Sequence, residues 1–158
     1  VTPNEAREAM RLATHERSLA NLNGAVAYLQ GLEAVRKERI GCIGWCFGGG
    51  RSLQLAINNS EIDAAVIYYG QLENDPEVLK KISGSVLGQF GEGDSHPSPE
   101  QVASFKAGLV AAGRTYEIHS YKDSNHAFAN PTGTRYNKEA ADKAWERTVA
   151  FLAKYLTR

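Results

Sequence analysis

The feature that most constrains this chain is the pentapeptide Gly44-Trp45-Cys46-Phe47-Gly48. It follows a short apolar run from Ile40 to Gly44 and precedes a helix pattern over about 48–58. Small residues two before and two after a nucleophile, at a strand-to-helix junction, permit a tight and strained turn. Strand and helix then approach closely, and the nucleophile projects above the sheet. Cysteine stands here where that pattern usually has serine. The start of the helix favours negative charge, which suits a thiolate, and the backbone N–H of Phe47 becomes one oxyanion donor. A buried cysteine in a glycine-rich turn fits the pentapeptide equally well, so the rest of the chain decides.

The rest reads as alternating strands and helices. Ala64 to Tyr69, bounded by Asp63 and Gly70, is a β-branched and aromatic run typical of a buried strand. Ser85 to Phe90 and Tyr116 to Tyr121 are further strands. Helices are expected over 99–112 and 136–156, the latter with Ala141, Trp145, Val149, Leu152 and Leu156 on one buried stripe. Residues 2–32 read as helix, opened by a capping box of Thr2, Pro3 and Glu5. Residues 1–18 are Ala/Arg/Glu-rich and suggest a separate helical arm. At 158 residues the chain is expected to be a single domain. Alternation of this kind implies an α/β fold: a mainly parallel sheet of about four strands flanked by helices. In such sheets the loops at the carboxyl ends of the strands hold the site.

Two further residues fall at such ends. Asp94 closes Phe90-Gly91-Glu92-Gly93-Asp94, and His126 lies just past the last strand in Asn125-His126-Ala127-Phe128. The chain order is therefore nucleophile, acid, histidine. A neutral His126 can take the thiol proton, and Asp94 can hold its tautomer and orientation.

With these motifs placed, the sequence resembles the dienelactone hydrolase family of the α/β-hydrolases. The matching segments are Ile43 to Gly49, Tyr68-Tyr69-Gly70, Val86-Leu87-Gly88 to Asp94, and His126 to Pro131, followed by Tyr136 and Ala140 to Arg147. The resemblance runs from about residue 19 to the C-terminus. It implies hydrolysis of small esters or lactones through a cysteinyl ester, with no metal and no organic cofactor. It also implies Cys46 as nucleophile, Asp94 as acid and His126 as base. In the family the elbow lies near the middle of a longer chain, whereas 45 residues precede Cys46 here and read as helix. The family's opening strands, its second oxyanion loop, its N-terminal carboxylate and its N-terminal substrate-binding arginine have no match among them. The fold expected is thus a partial α/β-hydrolase fold. The chain opens on Val1 and its one methionine is Met10. Two expectations follow: either the true chain starts earlier, or a second copy completes the sheet as a homodimer, because an exposed apolar sheet edge invites association. An alternative to turnover is a truncated, weakly active or inactive domain serving binding or assembly.

Other candidates rank lower. Trp45 and Phe47 flank the nucleophile and either shape an apolar pocket or pack as core. His96, Arg51 and Tyr136 are candidate substrate contacts. Asp123 competes with Asp94 for the acid role but shares the loop of the base. Cys42 reads as strand packing, and His15 and His119 as surface residues. No His/Cys/Asp/Glu grouping has metal-ligand spacing, and Gly48-Gly49-Gly50 lacks the lysine of a phosphate loop. The 18 Lys+Arg balance 18 Asp+Glu, which argues against nucleic-acid binding. No apolar run approaches a membrane span. Two cysteines suit a reducing, cytoplasmic compartment.

Overall fold

The computed structural model describes residues 2–157. The chain forms two compact units, residues 1–37 and 38–158. The first unit holds α1 (Pro3–Leu12) and α2 (His15–Gly31). The capping box is present: Thr2 Oγ1 accepts from the Glu5 N–H, and Glu5 Oε2 accepts from the Thr2 N–H at 2.6 Å. The helical stretch read over 2–32 divides at Ala13–Thr14, so the separate N-terminal helix ends at Leu12 and not at residue 18. Thr14 is the N-cap of α2, its hydroxyl accepting from the Arg17 N–H at 3.2 Å. A side-chain oxygen that competes for backbone donors breaks the helix there, while Gly24 lies unbroken inside α2 and Gly31 is its last residue.

The second unit contains β1 (Ile40–Trp45), α3 (Phe47–Asn58), β2 (Ile62–Tyr68), α4 (Pro76–Leu79), β3 (Ser85–Gly91), α5 (Pro99–Ala111), β4 (Tyr116–Tyr121) and α6 (Lys138–Leu156). All three strand pairings are parallel, and the order is β1-β2-β3-β4. This is the α/β architecture of about four strands expected from the sequence. β3 is buried throughout and β2 nearly so, as covered parallel strands must be. Neighbouring residues of β1 point to opposite faces. A Cβ on Gly41 would meet Leu152 and Leu156 of α6, whereas Cys42 Sγ lies 3.1 Å from the Ser52 hydroxyl of α3. Helices α6 and α3 therefore cover opposite faces. The core on the α6 side gathers Ala64, Val66, Tyr68, Leu87, Tyr121, Phe128, Ala140, Ala144 and Phe151.

The buried face of α6 differs from the expected stripe. Ala140, Ala144, Thr148 and Phe151 face the sheet, while Trp145 and Val149 are 54% and 50% exposed. The reason is polar. Tyr68 Oη lies 2.7 Å from Thr148 Oγ1, and Gln89 Nε2 donates to the Ala144 carbonyl at 3.1 Å. Gln89 Oε1 in turn accepts from Tyr121 Oη at 2.6 Å. Small residues admit this approach in the middle of the helix, so the expected stripe holds at Leu152 and Leu156, which pack against the core, and fails at Trp145 and Val149.

Candidate active site

The turn after β1 is as tight as its sequence demands. A Cβ on Gly44 would lie 2.0 Å from the Gly48 carbonyl oxygen, so only glycine fits. Cys46 sits at φ 54°, ψ −118°, a conformation rarely adopted by a residue with a side chain. It is the N-cap of α3 with no side-chain cap, and its N–H donates to the Tyr68 carbonyl at 3.0 Å. The thiol is thereby left exposed at the start of α3, beside Phe47 as the first helical residue.

β1 and β4 are the two edges of the sheet, about 14 Å apart at three strand spacings. Even so, His126, which follows β4, brings Nε2 to 3.1 Å from Cys46 Sγ. The loop over 122–137 achieves this by running back across the carboxyl ends of β3 and β2. It lies so close over β3 that a Cβ on Gly91 would sit 2.3 Å from the Ser124 carbonyl oxygen. Gly93 N–H donates to that same oxygen at 2.9 Å. Fully buried Phe128 anchors the loop among Tyr68, Tyr69 and Tyr121, at centroid distances of 6.4, 5.4 and 5.1 Å.

Asp94, from the turn after β3, is buried, with its side chain 2% exposed. Its Oδ2 lies 2.9 Å from His126 Nδ1, and its Oδ1 accepts from the His96 N–H at 2.8 Å. A carboxylate only accepts, so the proton at this contact sits on Nδ1. A neutral imidazole held in this way presents its Nε2 lone pair to the thiol. Asp123 does not reach the imidazole: it is exposed, and its carbonyl accepts from Asn137 Nδ2.

A cavity of about 310 Å³ opens on Cys46 and is lined by Trp45, Tyr69, Ala127, Ala129, Asn130 and Pro131. Trp45 is thus a wall of it, stacked on Tyr68 at 5.3 Å. Tyr136 instead lines a neighbouring cavity with Trp45, Pro131 and Trp145. Arg51 lies over the Phe47 ring, 4.6 Å from its centroid, and lines neither cavity. His96 offers its backbone to Asp94 while its exposed ring sits by Ser95. Burial pushes the Cys42 thiol up to about 11, so the two cysteines differ sharply in setting. His119 is half-buried rather than a surface residue. Burial and the nearby Arg147 hold its pKa below the usual histidine range. Ala127, Ala129, Asn130 and Pro131 lie in a segment that carries the family resemblance, as does Tyr69, but none of them was expected as a wall of the cavity.

Among the described residues no group of three or more His/Cys/Asp/Glu could hold a metal ion, and no helix is long and apolar enough to cross a membrane.

A parallel sheet with a strained, glycine-flanked corner between strand and helix defines an α/β-hydrolase-fold protein. Within that class, residues 2–156 match the dienelactone hydrolase family model, and the chain belongs to that family. A Saccharolobus solfataricus protein named "Putative carboxymethylenebutenolidase" is 32% identical over 142 residues, covering 90% of this chain and 53% of the relative. A Bradyrhizobium protein named "Probable 2-oxo-3-(5-oxofuran-2-ylidene)propanoate lactonase" is 30% identical, over 87% of this chain and 59% of its own. A Klebsiella pneumoniae crystal structure titled "Putative Dienelactone Hydrolase" superposes with a TM-score of 0.80 at 27% identity, over 87% of this chain and 60% of that one. The chain spans about half the length of the curated relatives it matches.

Proposed function

We propose that this chain carries the catalytic core of a hydrolase of small esters or lactones, with Cys46 as nucleophile, His126 as general base and Asp94 as the group that orients His126. The observation that carries the reading is the relay itself: Sγ to Nε2 at 3.1 Å and Nδ1 to Oδ2 at 2.9 Å. His126 Nε2 takes the thiol proton as Sγ attacks the substrate carbonyl carbon. The N–H of Phe47 donates to the developing oxyanion. The imidazolium then returns its proton to the departing alkoxide, leaving a cysteinyl ester. Water, deprotonated by the same nitrogen, attacks that ester and releases the acid and the thiol. The relatives' names, carboxymethylenebutenolidase and lactonase, support the substrate class. The apolar walls of the Cys46 cavity favour a small, weakly polar acyl group. Cys46→Ala is expected to lower steady-state hydrolysis of p-nitrophenyl acetate by about 10³-fold or more, and equal rates for variant and wild type reject Cys46 as the catalyst.

The second reading is a hydrolase-like domain that binds or assembles without turnover. It is favoured by the position of β1, which among the described residues pairs with β2 alone. The same assay separates the two, since wild type without turnover points to this reading. The open side of β1 also supports pairing with a second copy as a homodimer. Two free cysteines suit a reducing, cytoplasmic setting.

A further inference from the structure

We infer that Tyr69 is a positioning residue of the site, holding the loop that carries His126 where that loop crosses the end of β2. This rests on the reading of His126 as the base for Cys46, and it concerns what keeps the imidazole in place. The loop spans the sheet from one edge to the other, and β2 is the strand beneath its approach to Cys46. Tyr69 directly follows that strand and is buried. Its ring lies 5.2 Å from the His126 ring at 60° and 5.4 Å from Phe128 in an edge contact. One side chain therefore touches the loop at both 126 and 128, on either side of Ala127. Asp94 holds the imidazole at Nδ1, and the Tyr69 ring packs against the imidazole itself, which restricts rotation about that hydrogen bond.

The backbone supplies a separate argument. Tyr69 sits at φ 37°, a left-handed conformation that a bulky residue rarely adopts. Such strain persists where the surroundings over-determine it. Here the Tyr69 N–H is fixed to the Gln89 carbonyl at 3.0 Å while the ring is held by the loop. Burial above all pushes the phenol up to about 12. It therefore stays neutral across the working range and does not compete as a base.

The test uses the full chain with Tyr69→Leu and Tyr69→Phe, read by nitrogen NMR of the His126 ring and by site-resolved iodoacetamide alkylation of Cys46 across pH. Wild type is expected to show one neutral tautomer protonated at Nδ1. Tyr69→Leu is expected to mix the two tautomers and slow alkylation at neutral pH by about tenfold, with Tyr69→Phe restoring both to within about twofold. A folded Tyr69→Leu protein with the wild-type ring spectrum and alkylation profile overturns the inference. If the tautomers mix in Tyr69→Leu while wild-type Cys46 alkylates like a free thiol of pKa ~8.5, the positioning role stands and the general-base reading falls. Should Tyr69→Leu fail to fold by circular dichroism, Tyr69→Met carries the same two readouts, and a folded Tyr69→Met protein with the wild-type ring spectrum and alkylation profile overturns the inference.

Discussion

At the scale of single residues, the site depends on positions where one atom more does not fit. Gly44→Ala would place a methyl 2.0 Å from a backbone oxygen of α3, which no rotamer change relieves. It is expected to cost about 2–4 kcal/mol, measured as a lowered urea midpoint with unchanged slope, because strand and helix must separate. Cys46, Asp94 and His126 were legible in the sequence because each chemistry-bearing residue follows a run that ends a strand. Chain order alone left Asp123 as a second candidate acid, and it is the contact between Asp94 and His126 Nδ1 that separates the two. The cavity walls were legible only at Trp45; Ala127, Ala129 and Pro131 acquire their role from where the loop lies. Arg51 shows the converse. A cation near a nucleophile in sequence suggests a substrate contact, yet one helical turn carries it over the Phe47 ring.

At the scale of elements, the helix start read from its cap was that of α1, with Thr2 and Glu5. Ser98 forms a second capping box that the sequence reading did not single out. Its hydroxyl accepts from the Gln101 N–H, and Gln101 Oε1 accepts from the Ser98 N–H at 2.8 Å, which opens α5 just beyond the turn that holds Asp94. Ser98→Ala is expected to lower unfolding free energy by about 1 kcal/mol in chemical denaturation. Thr14 uses the same chemistry to divide α1 from α2, but a threonine inside a helical composition does not announce itself as a cap. The facing of α6 was read correctly at Leu152 and Leu156 but not at Trp145 and Val149, for a different reason. Periodicity counts apolar side chains, whereas the contact with the sheet is built around Thr148, Gln89 and Tyr68, a polar network that small residues admit.

At the scale of the whole molecule, strand count and parallel direction followed from the alternation of elements, while the path of the loop over 122–137 did not. Nothing local in that loop encodes a crossing of the sheet. The crossing appears only when the edge positions of β1 and β4 are set beside the 3.1 Å contact between Cys46 and His126. The same edge position motivates the assembly prediction. With Ile43 and Trp45 of β1 partly exposed, light scattering at micromolar concentration is expected to return twice the 17.2 kDa chain mass. A monomer at that concentration removes the homodimer.

The crossing loop also acts as a clasp between opposite margins of the sheet. The gap between sulfur and nitrogen then depends on how β1, β2 and β3 lie side by side, because the loop rests on the ends of β2 and β3 while the thiol rides on β1. Substitutions deep in β2 or β3 that alter twist by a few degrees would register first as a change in thiol reactivity, before any loss of folded protein.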